Sequence, residues 1–329
     1  MLHRTILRSK PLPGLMGSGT GRGPRSARGA AVIAAMLVVA IAAIVAAQVF
    51  ERQQLAVRSV ENRMDASQIR WIERAASDWA RLVLRLDARS TTTDHLGEPW
   101  ATTVNQTELD PTVYGGARAG TKDARATLSG QILDAQARFN LRNLVDTRTA
   151  GGQSVPERIV SARDLAALRR LLGALGLDAA LAEPIAAFAL YQDLSRSTDL
   201  LKVPGMDTSL FRRLEAFVIV LPERSALNLN TAPAELLHAY FGALDLSAAR
   251  ILASRRERQH FSDTHAVRAL IPGEPDLPPS HFALGSRYFL MEGVIGYGRV
   301  ESRARILFDR RPAGAADGDA VQVVWRETL

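Results

Sequence analysis

The sequence predicts an α+β fold in which one long N-terminal helix packs on an antiparallel sheet, with a large α-helical domain inserted between the strands. Three observations predict it. Neither Pro nor Gly interrupts Ala30 to Leu86, so a single helix can run the whole way. Segments with the alternation of strands lie both before and after a long central stretch. That stretch carries its apolar residues at helical spacing.

The chain has 329 residues and is 47% hydrophobic, enough to bury a sizeable core. Its formal charge of +7 is unevenly placed. Arg4, Arg8, Lys10, Arg22, Arg25 and Arg28 all precede residue 30 with no acidic residue among them, which leaves 35 basic against 34 acidic residues beyond. The body is nearly neutral and offers nucleic acid little counterion release. The absence of cysteine excludes disulfides, thiolate metal sites and a Cys nucleophile.

Ala30 to Phe50 is a run of 21 uncharged residues, and about 20 apolar residues span a hydrocarbon core. The basic residues before it keep that end in the cytoplasm and send the rest of the chain across the membrane. Past Arg52, the apolar residues Val57, Val60 and Met64, then Ile69, Ile72, Ala76, Trp79, Val83 and Leu86, recur at steps of three and four, with one step of five. This is the pattern of one helix face. Trp71 and Trp79, eight apart, are expected to pack against the sheet. A signal peptide cleaved after Val45-Ala46-Ala47, or a plain anchor, would explain the apolar run; a signal peptide has no reason to continue as an unbroken amphipathic helix.

After the helix, "TTTDHLGEPWATT" (Thr91 to Thr103) reads as a polar loop leading into a short strand. Ala126 to Val145 reads as hairpin-like, with Gly130 and Asp134 at turns. From Pro156 to His265 the period is helical, with Leu165, Leu168, Leu172 and Leu175 on one stripe. Alternation returns at Ser286 to Arg311. Ala320 to Glu327 reads as a closing strand behind the Gly-rich turn Gly314 to Gly318.

Arg28-Gly29 followed by Ala30 and a long helix resembles the type IV pilin and pseudopilin class. The resemblance implies that prepilin peptidase cuts between Gly29 and Ala30 and methylates the new amine of Ala30. Most of the class has glutamate at mature position five, where this chain has Ala34, so the carboxylate that meets a neighbour's N-terminal amine is missing. An apolar residue there is a feature of the type II secretion minor pseudopilin K family. "DHLGEPWA" (Asp94 to Ala101), "GQILDAQARFNLRNL" (Gly130 to Leu144) and "ALNLNTAPAELL" (Ala226 to Leu237) resemble that family too.

The family implies a pilin-like fold with a helical insertion. The corresponding domains are a leader (1–29), a transmembrane segment (30–50), its amphipathic continuation (51–90), a first part of the sheet (91–150), the inserted helical domain (151–284) and closing strands (285–329). It also implies a single-pass protein of the bacterial inner membrane, with a cytoplasmic N-terminus and a periplasmic globular part at the tip of a short pseudopilus. Its implied partners are minor pseudopilins I and J, prepilin peptidase, and secreted substrates or the outer-membrane secretin. A tip subunit of a type IV pilus system is the related alternative.

Leu227 to Asp263 also resembles a helix-hairpin-helix module, a DNA-binding family, with Thr231 as N-cap and Pro233 and Glu235 in the first turn. A phosphate cradle needs exposed N–H groups and no nearby anion. The matching triplets here, Gly205-Met206-Asp207 and Ala243-Leu244-Asp245, each end in aspartate, so no nucleic-acid partner is expected. Arg250, Arg255, Arg256 and Arg258 read as a solvated helix face.

His95, His238, His260, His265 and His281 show no metal spacing, and Ser195 between Asp193 and Asp199 has no histidine placed beside it by sequence. An enzyme is not expected. No cofactor is required on this reading. Calcium is the candidate ion, which related pseudopilins bind, with Asp94 and Glu98 and either Asp134 or Asp146 as hard ligands.

Overall fold

The computed structural model describes residues 26–110, 125–148, 157–298, 300–311 and 320–328. Most of the expected leader and the expected turn Gly314 to Gly318 lie outside them. The chain divides into two compact units, Met1–Arg63 and Met64–Leu329. In the first, helix α1, which runs over Ser26–Ser90, exposes every residue from Gly29 to Arg63. Among the described residues, α1 is the one helix long and apolar enough to cross a membrane. Its backbone is satisfied internally, as a lipid environment demands.

In the second unit, α1 packs on a five-stranded antiparallel sheet of order β1-β2-β9-β10-β11. These strands are β1 (Val104–Leu109), β2 (Ala126–Asp134), β9 (Tyr288–Tyr297), β10 (Val300–Arg310) and β11 (Val321–Thr328). Alternation assigns their faces. Ile132, Phe289, Met291, Ile306 and Phe308 meet Ala76, Ala80 and Leu84 of α1, while Ile72 and Ile69 cover Ala126, Ile295 and Tyr297. Leu290, Leu307 and Tyr288 point the other way, onto Ile219 and Leu221. The small Ala76 and Ala80 let the helix lie close to the strands.

Between β2 and β9 the chain builds a helical block from α2 (Ala162–Ala174), α3 (Ala182–Tyr191), α4 (Thr208–Leu214), α5 (Ala234–Tyr240), α6 (Leu246–Arg258) and α7 (Thr264–Arg268). Short ladders pin it: β3 (Phe139–Asn140) with β6 (Val218–Ile219), β4 (Val145–Arg148) with β5 (Glu157–Val160), and β7 (Leu227–Asn228) with β8 (Phe282–Ala283).

Two expectations are corrected. Gly130 is not at a turn: it pairs with Gly293 in the middle of the sheet, and a Cβ there would stand 2.8 Å from the Glu292 carbonyl oxygen. Glycine serves close strand approach here, a role that sequence shares with turns. The block also begins before residue 151, because Phe139, Leu141 and Leu144 are buried in its own core. "FNLRNLV" looked strand-like by its apolar content, yet most of it forms a 3-10 turn.

Candidate functional site

The predicted stripe on α1 is two faces rather than one. Ile69, Ile72 and Ala76 are buried against the sheet, joined by Ala80 and Leu84, and Val83 is half-buried. Met64, Trp71, Trp79, Leu82 and Leu86 are exposed instead, Trp71 to 58% and Trp79 to 47%. At 100° per residue the two sets are separated by roughly a third of a turn. Beyond the step of five from Met64 to Ile69 the stripe straddles both faces, with Ile69, Ile72 and Ala76 buried and Trp79 and Leu86 exposed. The tryptophans therefore do not pack in the core. They flank a groove of about 540 Å³ between α1 and the edge strand β1, with Val104, Leu109 and Leu128 on its far wall. Val57 and Val60, in the first unit, are exposed as well.

A second feature sits where the helical block leaves and rejoins the sheet. Asp134, at the end of β2, is fully enclosed. Its Oδ1 accepts the Gln136 N–H at 2.8 Å. Its Oδ2 accepts Asn228 Nδ2 at 2.9 Å, the Thr231 hydroxyl at 2.6 Å and the Ser286 hydroxyl at 2.7 Å. Burial pushes the carboxyl up to about 6, against the pull of the Thr231 and Ser286 hydroxyls. Thr231 is thus not the helix cap its position suggested: α5 starts at Ala234 behind Pro233, and the hydroxyl is spent on Asp134. Asn230 continues the lock by exchanging hydrogen bonds with both the N–H and the C=O of Phe261. Asp94 accepts the Ser286 N–H at 2.6 Å. "DHLGEPWA", "GQILDAQ" and "LNLNT" converge on one buried network.

The comparisons with known proteins fit this convergence. The model of the family described as type II secretion system (T2SS), protein K, matches residues 227–283, the stretch from Asn228 through α5, α6 and α7. The protein named type II secretion system protein K from Pseudomonas aeruginosa is 29% identical over 83% of this chain and 86% of its own length. The chain is similar to type II secretion system protein K. The protein of that name from Pectobacterium carotovorum subsp. carotovorum is 25% identical, over 91% of this chain and 96% of its own length. A chain of the GspK-GspI-GspJ complex from the enterotoxigenic Escherichia coli type 2 secretion system has the same fold. Its TM-score is 0.62 at 20% identity, covering 82% of this chain and 99% of that one. These protein K relatives match along most of the chain, whereas the family model matches only the region that locks the block to the sheet.

Against that background the helix-hairpin-helix features are self-capped. Asp207 accepts the Ser209 and Leu210 N–H groups at 2.7 and 2.9 Å, and Asp245 accepts the Ala248 N–H at 2.8 Å. Those are the donors a phosphate would use. Of the expected arginine face, Arg250, Arg255 and Arg258 are exposed, but Arg256 is buried and donates to the Leu229 carbonyl at 2.7 Å, behind the Asn228 to Thr231 turn.

Gly29, Ala30 and Ala34 all lie in α1 with exposed surfaces. Asp199, near Ser195, is a cap that accepts the Ser195 and Arg196 N–H groups. His281 does find partners the sequence did not show: Ser280 Oγ at 2.9 Å from Nδ1, and Asp164 Oδ2 at 3.9 Å from Nε2. Asp164 is already taken by the Ser161 and Tyr240 hydroxyls at 2.6 and 3.0 Å, so it orients Ser161 and Tyr240 more closely than the imidazole.

Proposed function

We propose that this chain is a minor pseudopilin of a type II secretion system. It is held in the inner membrane by α1 with its globular part in the periplasm, and it initiates a pseudopilus whose tip it forms with the I and J subunits. The observation that carries the reading is the second apolar face of α1: Trp71, Leu82 and Leu86 stay exposed on a helix whose other apolar face, roughly a third of a turn away, is already packed on its own sheet. A helix with a spare apolar stripe suits lateral packing against another helix. Prepilin peptidase releases the leader at Gly29 and methylates Ala30. With Ala34 in place of glutamate, the subunit has no carboxylate for a neighbour's amine, which suits a terminal position. Secreted substrates or the outer-membrane secretin meet the helical block.

No catalytic role is assigned. The Ser280, His281 and Asp164 contacts lack a short bond from the imidazole to the aspartate, and a general base needs roughly 3 Å. No nucleic-acid partner is assigned either, because Asp207 and Asp245 occupy their own helix ends.

The test is co-purification with the cognate I and J subunits. Trp71→Asp and Leu82→Asp should each leave the melting temperature within a few degrees, since exposed substitutions shift stability by about 0.5 kcal/mol or less. Both should weaken the complex and secretion at least tenfold. Ile72→Asp buries a charge at a site 2% exposed and should instead lower the protein's own stability by at least about 3 kcal/mol. Full complex formation by both exposed-face variants would remove the support for this assignment.

A further inference from the structure

Three buried carboxylates, Asp87, Asp94 and Glu98, bring ligand oxygens within 4.8 Å of one another. They are not the set expected for calcium. Asp134 is taken by the neutral donors of Asn228, Thr231 and Ser286, and Asp146 pairs with Arg224 across the block. Asp87, from the last turn of α1, completes the group instead.

Two members of that group, Asp87 and Asp94, are bound by Arg310. Its Nη1 donates to Asp87 Oδ2 at 2.6 Å, and its Nη2 donates to Asp94 Oδ1 and Oδ2 at 2.7 and 2.6 Å and to the Ser286 carbonyl at 2.7 Å. The guanidinium carbon lies 4.5 Å from the centroid of the Phe289 ring, and the side chain is 9% exposed. Glu98 is spoken for as well: Oε1 accepts the Thr91 hydroxyl at 2.9 Å, and Oε2 accepts the His95 N–H and the Trp100 indole at 2.9 and 2.7 Å. Calcium requires roughly six to eight oxygen ligands turned towards it. Here the oxygens are turned towards N–H and O–H donors, and a metal would have to displace a buried arginine. The residues present do not fit calcium while Arg310 is seated.

We infer that Arg310 is this chain's built-in substitute for a divalent cation: from strand β10 it ties α1 and the loop carrying Asp94 together through the Asp87 and Asp94 carboxylates, which would otherwise face a metal. Two consequences follow from the chemistry. At the Asp87, Asp94 and Glu98 cluster the intact chain owes none of its stability to calcium. Removing the guanidinium uncovers a hard-oxygen site on Asp87 and Asp94, with the hydrogen-bonded Glu98 beside it, because these buried carboxylates then lose the cation that Arg310 supplies.

The experiment is thermal unfolding of the full-length chain in detergent, in EDTA and in millimolar calcium chloride. The wild type should melt at the same temperature in both. Arg310→Ala should melt roughly 10 °C lower in EDTA, the range expected for orphaned buried charges, and regain at least half of that loss in calcium. Adding Asp94→Asn should abolish the recovery. Should Arg310→Ala not fold in either buffer, the neutral, longer Arg310→Gln takes its place with the same expectation. A wild type that is stabilised by calcium, or a folded Arg310 variant indifferent to it, overturns the inference.

Discussion

Asp134→Asn keeps the size of the side chain and exchanges one carboxylate oxygen for an amide group. Assume the remaining oxygen stays on the Gln136 N–H. The Thr231 and Ser286 hydroxyls can then turn to accept, but Asn228 Nδ2 faces another donor. Losing that acceptor and the charge assistance of the rest is worth about 1–2 kcal/mol at neutral pH. The pH dependence is sharper. Burial raises the Asp134 carboxyl to about 6 in the folded chain, from an ordinary carboxyl value of 3.8. A carboxyl whose folded value is raised favours folding in full below the unfolded value, and that advantage is lost as pH rises through the folded one. Two units amount to about 3 kcal/mol, roughly half of it lost above pH 5. Asn titrates nowhere in this range, so the gap between wild type and variant should be about 3 kcal/mol at pH 5 and should shrink to 1–2 kcal/mol by pH 7.5. The assay is thermal unfolding of the full chain in detergent across that range, with each kcal/mol worth about 2–4 °C. A gap that widens towards pH 7.5, or a variant as stable as wild type at pH 5, would refute the reasoning.

Two further expectations concern the ends of the argument. The N-terminal peptide of membrane-purified protein, made with prepilin peptidase present, should begin at a methylated Ala30; a start at Gln48 or an intact Met1 would point to a signal peptide or a plain anchor. The full chain should show no titratable gain in anisotropy with a labelled DNA duplex at physiological salt. Tight binding that weakens steeply with added salt would mean that Asp207 and Asp245 do not block phosphate as their hydrogen bonds indicate.

Much of the architecture could be read from the chain because its signals are local. An uninterrupted run from Ala30 to Leu86 needs only helix propensity, and the alternation of Tyr288 to Arg310 needs only the pleat. What could not be read depends on partners far away in sequence. The stripe on α1 looked continuous because apolar side chains at three- and four-residue steps satisfy one helix face whether a sheet or solvent lies opposite. Only the placement of β2, β9 and β10 separates Ile72 from Trp71. Asp94 and Glu98 were recognisable as hard ligands, but the charge that meets Asp94 comes from Arg310, more than 200 residues on. Gly130 carried a turn signal because glycine's freedom and its lack of a side chain are indistinguishable until a neighbouring strand approaches. "LNLNT" was recognised as a family motif without its role. That role is to put the Asn228 amide, which is also within 3.0 Å of Ser286 Oγ, between the two ends of the insertion.

Those two ends have a mechanical meaning. The block departs from β2 and returns into β9, and these strands lie side by side in the sheet. Two adjacent covalent links alone would behave as a hinge pin, but Ile219 and Leu221 of the block also pack on Tyr288, Leu290 and Leu307 of the sheet. The loop over residues 91–98 adds a further grip: the His95 ring stacks on His260 with centroids 3.9 Å apart, and the Asp94 N–H donates to the Leu284 carbonyl at 2.8 Å. With that grip the lever arm cannot turn freely, and torque applied to the block is delivered to the sheet and to α1 behind it.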